Sequence, residues 1–225
     1  MAILDWAAFH AAPLVREPFE FLVLPGFVRP SALAAIHEDF PKIEHSGSFP
    51  LSEVRYGAGF GALIEELNAP ATRAAFERKF GIGLEGRPTM TTVRGYCSTK
   101  DGRIHTDATS KIITVLIYMN PQWEPSGGRL RLVRSATDLD DVIVEVPPRE
   151  GTLLCFRRGE NSFHGHKPFV GSRRVIQFNW VTEQKVVDRE LRRHRISAWT
   201  KRILPFGKSS RVPTSPADPP RREAA

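Results

Sequence analysis

The sequence predicts a single mainly β domain of the α+β class, with short strands arranged as a sandwich or jelly roll after a helical N-terminal part. Two observations predict this class. From Pro88 onward, short apolar runs recur and are separated by Gly, Pro, Asp and Ser. Before Pro88, the apolar residues follow helical spacing instead. At 225 residues and 41% hydrophobic content, the chain is long enough for one core of ordinary size.

The N-terminal part is predicted to contain one strand and three helices. Pro18–Leu24 fits a first strand, and Ser31 is a candidate N-cap for a helix that continues to Asp39. Two further helices are expected over Gly61–Leu67 and Pro70–Phe80. No internal repeat links these elements to one another or to the strands that follow.

Six strands are predicted after Pro88, each bounded by residues that favour turns. They are Thr89–Tyr96, Ile112–Met119, Arg129–Arg134, Val142–Val146, Thr152–Phe156 and Arg174–Val181. Strands this short and this regularly spaced favour two facing sheets over a parallel sheet with crossover helices.

The net charge of +7 is concentrated at the C-terminal end. Residues 183–225 hold 11 Lys and Arg against 5 Asp and Glu, whereas residues 1–182 hold 21 against 20. Because the domain itself is almost neutral, the charge disfavours nucleic acid as a partner.

Asp188–Leu204 is predicted to form a basic helix with Asp188 as its N-cap. Its loose apolar stripe consists of Leu191, Ile196, Trp199 and Ile203. A helix docked on the domain with a solvated basic face is the simpler interpretation, and contact with an anionic partner is the alternative. Residues 205–225 are rich in proline and are predicted to be disordered.

The cysteines and the N-terminal residues predict a cytoplasmic protein. Cys97 and Cys155 lack CxxC spacing and are interpreted as reduced core thiols. Met1–His10 has no basic segment of the kind that begins a signal peptide. No apolar run reaches the ~18 residues of a membrane span. The sequence gives no indication of oligomeric state.

His105 and Asp107 form a candidate metal-binding pair. In a strand, residues two apart point to the same face, so both side chains can reach one ion while Thr106 points away. Two His and one carboxylate leave about three coordination positions open, as in non-haem iron oxygenases. Zinc sites usually fill four positions and prefer Cys or a third His.

A lone His-x-Asp triplet is weak evidence by itself, but its position strengthens it. The triplet lies just before the predicted strand Ile112–Met119. A second cluster, with His164 and His166, likewise lies between two predicted strands. Because functional residues concentrate at strand ends, the two clusters are expected to meet in one site.

The stretch Arg94–Trp180 resembles the catalytic core of the iron(II) and 2-oxoglutarate-dependent dioxygenases, in their prolyl 4-hydroxylase-like branch. The matching pieces are Arg94–Tyr96, His105–Asp107, Ile117–Asn120, Trp123, Ser126–Gly128, Leu130, Gly151–Phe156 and His164–Trp180. The resemblance implies a double-stranded β-helix, cupin-like in form, over residues 86–182. Residues 1–85 would then support one face of its major sheet, and 183–204 would be the basic helix.

The resemblance implies that His105, Asp107 and one later His bind the iron. In the family, this His is followed by Pro after about four residues and by a basic residue after about ten. These spacings favour His164 over His166 and select Arg174 as the residue that binds 2-oxoglutarate.

The family's basic residue also precedes an aromatic residue by six positions, which fits Arg174 and Trp180. Strand alternation would then direct Arg174, Phe178 and Trp180 into the barrel and Arg173 outward. Phe178 departs from family members that carry a small polar residue at this position, which would form the floor of the cosubstrate pocket.

Two tyrosines match family positions at the cosubstrate. Tyr118 would assist at the carboxylate of 2-oxoglutarate, and Tyr96 would line the same region. For both, a core aromatic with a satisfied hydroxyl is the alternative. His166, two residues from His164, would share its side of the strand and approach the substrate or support the ligands. A plain structural role for His166 is the alternative.

The implied activity is oxidation of a peptide or small molecule, with hydroxylation as the default outcome. Fe(2+), 2-oxoglutarate and O2 would be required, ascorbate is a candidate reductant, and succinate and CO2 would be released. Two other functions stay open. One is a cupin-type barrel that binds zinc or manganese without 2-oxoglutarate, and the other is a non-catalytic protein that acts through its basic tail.

Overall fold

Two antiparallel sheets form the centre of this computed structural model, which describes residues 2–189, 191 and 192. The larger sheet has six strands in the order β1-β7-β4-β9-β3-β2, and the smaller has three in the order β6-β5-β8. The strands are β1 Phe21–Leu24, β2 Phe49–Pro50, β3 Thr89–Cys97, β4 Lys111–Tyr118, β5 Leu130–Val133, β6 Val142–Val146, β7 Leu153–Arg157, β8 His164–His166 and β9 Gly171–Val181. The predicted mainly β class and the double-stranded β-helix are confirmed.

Four helices lie in the N-terminal part of the chain, where helices were predicted. They are α1 Trp6–Ala11, α2 Pro30–Glu38, α3 Ala58–Asn68 and α4 Pro70–Phe80. They cover one face of the larger sheet, and a continuous apolar core fills the space between. Trp180 of β9, for example, contacts Phe76 of α4 with ring centroids 4.9 Å apart. Both the helices and the sheet contribute apolar side chains to this core. Their burial holds the helical layer against the sheet.

A second apolar core lies between the two sheets. Leu116 and Tyr118 of the larger sheet meet Leu132 and Val146 of the smaller one there. This core fills only part of the interior, and the remainder is a cavity with polar walls. The side chains of β4 alternate accordingly, since Val115 faces the helices whereas Leu116 faces the interior.

Glu66 of α3 attaches the start of the chain to the helical layer. Its carboxylate accepts hydrogen bonds from the backbone N–H of Ile3 and Leu4 and from the indole of Trp6, at 2.7, 3.1 and 3.1 Å. Three donors on one carboxylate compensate its partial burial. The first residues are thereby held against α3 and α4.

Some predicted boundaries were wrong. Helix α2 begins with Pro30 after Arg29, so Ser31 lies inside its first turn and is not the N-cap. Residues 184–189 are already helical, so Asp188 does not cap the C-terminal helix. The rest of that predicted helix and the proline-rich tail lie outside the described residues. Helix α1 and strand β2 were not predicted, because both are too short for a clear periodic pattern.

Within the described part of the chain, no helix is both long and apolar enough to span a bilayer. Cys97 and Cys155 are both buried and unbridged, as expected.

Candidate active site

His105, Asp107 and His164 meet at one end of the cavity between the sheets. Each offers one ligand atom, and the three atoms lie within 4.8 Å of one another. The cavity has a volume of about 320 Å³ and opens to solvent on the His105 side. The structure therefore brings together the three residues that the sequence predicted as metal ligands.

Backbone pairing fixes the two histidines relative to each other. The N–H of His105 donates to the carbonyl of His164 at 3.0 Å, and the N–H of His164 donates to the carbonyl of His105 at 2.9 Å. This reciprocal pair joins the segment before β4 to strand β8. As a result, the ring centroids lie 4.3 Å apart.

Both imidazoles are held in the tautomer that a metal requires. Nδ1 of His105 lies 2.9 Å from the carbonyl of Arg103, and Nδ1 of His164 lies 3.0 Å from that of Ser162. A carbonyl only accepts, so Nδ1 carries the proton and Nε2 keeps its lone pair. Burial lowers the pKa of His164 to about 4, which keeps this ring neutral near pH 7.

Asp107 is held in the ionised form. Burial alone would raise its pKa, but the Lys111 ammonium and the other polar partners hold it below the usual range. Lys111 Nζ lies 2.6 Å from one carboxylate oxygen, and the Thr114 hydroxyl donates to the other at 2.5 Å. Thr114 lies between Asp107 and the buried Asn179, whose side-chain oxygen is 3.0 Å away.

These donors fit a divalent ion of the iron class. Two imidazole nitrogens and one carboxylate oxygen would supply three ligands to such an ion and would leave its other positions for small molecules. No cysteine joins the set, which disfavours a structural zinc site. The cavity supplies room beside the ligands for a small acid.

The side chains of Arg173 and Arg174 point to the faces of β9 opposite to those predicted. Arg173 is 5% exposed, lines the cavity and donates from Nε to the carbonyl of Gly128 at 2.7 Å. Arg174 points toward the helices, with its guanidinium carbon 5.3 Å from the centre of the Phe40 ring. The expectation that Arg174 faces the barrel was therefore wrong.

The physical reason is where the aromatic residues of β9 are buried. Phe178 and Trp180 pack in the core beneath the helices, and Arg174 shares their face. The opposite face, with Arg173, Val175 and Gln177, lines the cavity. Arg174 and Trp180 do share one face of β9, as predicted, but that face packs against the helices and not into the cavity.

The tyrosines differ from each other. Tyr118 is fully buried beside Arg173, whose guanidinium carbon lies 5.4 Å from the ring centre. Its hydroxyl has no hydrogen-bond partner among the described residues. Tyr96 is half-buried and, like Tyr118, is not among the residues that line the cavity, so its place at the cosubstrate stays a prediction. The pairing of β3 with β9 shifts register between Arg94 and Tyr96.

His166 lines the cavity on the same side of β8 as His164, as predicted, but lies outside the ligand cluster. Burial and the nearby Arg173 charge lower its pKa to about 4. Its N–H donates to the carbonyl of Gly102 at 2.9 Å. Gly102 has φ +93°, and a Cβ there would lie 2.4 Å from the His166 carbonyl oxygen. The loop before His105 can approach β8 this closely only with glycine at that position.

A second depression, called here the outer cleft, adjoins the ligand cluster at His105 and Asp107 and has a volume of about 290 Å³. Five residues line both the cleft and the cavity: Arg94, His105, Asp107, Lys111 and Gln177. Its remaining wall comes from β3, from the residues after Asp107 and from residues 181–189. Two compartments on one ligand cluster can hold two different small molecules.

Residues 92–182 match the family model described as the 2OG-Fe(II) oxygenase superfamily, and this stretch contains all three clustered ligands. The chain carries a 2OG-Fe(II) oxygenase domain. The oxygenase is thus a 2-oxoglutarate-dependent iron(II) dioxygenase, with Fe(2+), 2-oxoglutarate and O2 as its cofactor and cosubstrates. No curated protein sequence matches the chain significantly.

Solved structures of prolyl 4-hydroxylases share the fold of this oxygenase. The enzyme from Pseudomonas putida has a TM-score of 0.52 and 16% identity, over 79% of this chain and 94% of that one. A truncated collagen prolyl hydroxylase of Paramecium Bursaria Chlorella virus-1 has a TM-score of 0.50 and 16% identity, over 75% and 92%. A prolyl 4-hydroxylase of Phytophthora capsici has 0.50 and 17%, over 74% and 60%.

Three residues of the site were missed in the sequence. They are Arg173, which was predicted to face outward, and Lys111 and Thr114, for which no role was predicted. Lys111 and Thr114 follow Asp107 by four and seven residues, and Thr114 is a polar residue in an otherwise apolar strand. That interruption of an apolar run was the available signal.

Proposed function

We propose that this oxygenase hydroxylates a peptide or small-molecule substrate. In this proposal His105, Asp107 and His164 bind the iron, and Arg173 binds 2-oxoglutarate. The main observation behind this proposal is that one cavity contains both the His-Asp-His cluster and a buried guanidinium. Succinate and CO2 are the expected co-products.

The surroundings of Arg173 support its role. A permanently charged group is costly to bury unless an opposite charge accompanies it. Among the described residues, no carboxylate pairs with Arg173, and its hydrogen bond goes to a carbonyl. A dicarboxylic acid would supply the missing charge, because its far carboxylate can accept a bidentate pair of hydrogen bonds from the guanidinium.

Tyr118 supports the same placement of the acid. Burial raises the pKa of its hydroxyl to about 12, against the opposing effect of the Arg173 charge, so the group remains a donor at neutral pH. Since that hydroxyl is unpaired within the described chain, a bound carboxylate would give it an acceptor.

The remaining residues position and shield the reaction. The backbone pair between His105 and His164 holds the imidazoles in place, and Lys111 and Thr114 keep Asp107 ionised and oriented. When bound, iron(II) and 2-oxoglutarate supply the activation of O2, which is coupled to loss of CO2 from the keto acid. Leu116, Leu130 and Val175 line the cavity and exclude water from this chemistry.

A prolyl residue is the first peptide substrate to test. The solved relatives with this fold are prolyl hydroxylases, and one is named for collagen. Small molecules remain within the proposal, because the outer cleft holds about 290 Å³ and would accept either a small compound or a single side chain.

The decisive experiment is anaerobic titration of iron(II) and 2-oxoglutarate, followed by the weak visible charge-transfer band of a keto acid chelated to iron. The band should appear in the native protein and disappear in Asp107→Ala and His164→Ala. Binding of metal without the band would contradict the proposal and favour the cupin-type alternative.

Arg173→Met and Arg174→Met form a matched pair for the cosubstrate. Arg173→Met should weaken 2-oxoglutarate binding by about 30-fold or more, because it removes the buried partner of a carboxylate. Arg174→Met should leave the affinity unchanged, since Arg174 stacks on Phe40 outside the cavity. Calorimetry with zinc in place of iron measures both constants without turnover. A larger loss in Arg174→Met would overturn the assignment.

We also propose a cytoplasmic location. Two buried, unbridged thiols, Cys97 and Cys155, support a reducing compartment. Fractionation of cells that express the untagged chain tests this, and recovery in a secreted fraction would contradict it.

A further inference from the structure

The outer cleft, like the cavity that it adjoins, is lined by more cationic than anionic side chains. Its charged side chains are Arg94 from β3, Lys111 at the start of β4, Arg189 from the helical residues 184–189, and Asp107. Thus three cations face one carboxylate, although residues 1–182 as a whole are almost neutral. The cleft concentrates positive charge beside the proposed metal site.

The cleft's own carboxylate cannot neutralise all of these cations. Asp107 is a proposed metal ligand and already pairs with Lys111 at 2.6 Å. Arg94 pairs with Asp101 outside the cleft at 3.4 Å, and one third of its side chain stays exposed. A guanidinium in this state can still bind a second anion through its free N–H groups.

The other walls limit what the cleft can hold. Met90, Val181 and Val186 form an apolar surface, and Thr92, Ser110 and Gln177 add uncharged polar groups. A volume of about 290 Å³ suits a single side chain or a small acid. A partly enclosed site with an excess of cations raises the local concentration of anions, and guanidinium groups select planar carboxylates and phosphates.

We infer that the substrate of this oxygenase carries a carboxylate or phosphate group, which Arg94 and Arg189 bind in the outer cleft. The carbon to be oxidised then faces the His105, Asp107 and His164 cluster, and 2-oxoglutarate occupies the cavity on the other side. This inference rests on the proposed function, because it takes the ligand cluster as the reacting centre.

The test measures binding instead of turnover. Full-length protein is loaded with zinc and saturating 2-oxoglutarate, so that added acids cannot occupy the cosubstrate site. Ligand-observed NMR then compares acids with their neutral counterparts. In the small-molecule set, the N-acetylated α-amides of aspartate, glutamate and phosphoserine are compared with those of asparagine, glutamine and serine, so that only the side chain can be charged. In the peptide set, short N-acetylated, C-amidated proline peptides flanked by Asp or Glu are compared with the same peptides carrying Asn or Gln.

Acids should bind in preference to their amides in at least one set, and the set that responds identifies the source of the anion. Arg94→Met and Arg189→Met should each weaken that binding by about tenfold, which is about 1.4 kcal/mol. Arg134→Met is the matched control, because Arg134 is exposed and lines neither compartment. It should bind like the native protein.

The inference is overturned if amides bind as well as acids in both sets, or if the Arg94 and Arg189 variants keep native affinity. Retained 2-oxoglutarate binding in each variant shows that the fold is intact. If 2-oxoglutarate fails to bind even the native protein, the proposed function fails, and that result is separate from the acid preference.

Discussion

The two faces of the six-stranded sheet differ in what their side chains do. On β9, Phe178 and Trp180 pack beneath the helices, whereas Arg173 and Gln177 line the cavity. On β4, Val115 faces the helices and its neighbour Thr114 holds Asp107. Adjacent residues in one strand thus serve stability on one face and chemistry on the other. We expect substitutions on the two faces to have separable effects.

The largest effect is expected on the helix face. Trp180→Ala removes a 2% exposed indole that packs on Phe76, and it should lower the free energy of unfolding by about 3–5 kcal/mol. Gln177→Ala, from the cavity face, should cost less than about 1 kcal/mol. Urea denaturation measures both. The affinity for 2-oxoglutarate should survive in folded Trp180→Ala, and a loss as large as that of Arg173→Met would refute the separation of the two faces.

Thr114→Val, on the cavity face, should affect metal affinity more than stability. This nearly isosteric change removes the hydroxyl that donates to Asp107 at 2.5 Å. Residues that orient metal ligands typically contribute about 10- to 100-fold to metal affinity, so iron(II) binding should weaken by that order. Val115→Ala, on the opposite face, should lose stability and keep native iron affinity. Equal iron affinity in native protein and Thr114→Val would count against the role of Thr114.

Tyr118 should make the stability of the protein depend on pH. Its pKa rises from the ordinary value of 10 to about 12 on folding, because burial disfavours the phenolate. The unfolded chain therefore loses this proton first, and stability should decline as pH rises from 10 toward 12. At pH 11 the decline should amount to about 1 kcal/mol.

Comparison with Tyr118→Phe isolates that contribution. The variant lacks the ionisable group, so its free energy of unfolding should fall less steeply between pH 9 and pH 11. Parallel profiles for the two proteins would show that Tyr118 does not titrate differently in the folded state.

The smallest effect is expected at Lys111. Its ammonium occupies an oxygen of Asp107 and repels a divalent cation, so Lys111→Met should tighten iron(II) binding by about threefold. Arg158→Met is a useful control, because Arg158 contacts only the backbone carbonyl of Asp107, at 3.3 Å. Titration with iron(II) under anaerobic conditions measures the metal affinity of both variants. Weaker binding in Lys111→Met would mean that orientation of the carboxylate outweighs the repulsion.

Much of the fold could be predicted because its signals are local. The termini of α4 and β6 were predicted correctly, since Pro70 marks a helix start and turn residues flank Val142–Val146. It was also predicted correctly that three side chains would cluster, namely those of His105, Asp107 and His164. Strand alternation and family spacing both constrain those positions.

The errors concern which face of a strand points inward. Alternation separates Arg173 from Arg174 but does not say which of them faces the cavity. That choice depends on where the helices bury Phe178 and Trp180, which is a tertiary contact with no local signal. The register shift between Arg94 and Tyr96 likewise depends on how β3 pairs with β9.

The pairing of the loop before His105 with β8 has a consequence for how this protein can vary. Gly102 is tied to His166, and three residues later His105 is tied to His164. An insertion between Gly102 and His105 would break the alignment of the two histidines, whereas one between Ser98 and Asp101 would disturb the hydrogen-bonded turn there and leave that alignment unchanged. Engineering of this loop should therefore extend it on the Ser98 side and keep the spacing from Gly102 to His105 unchanged.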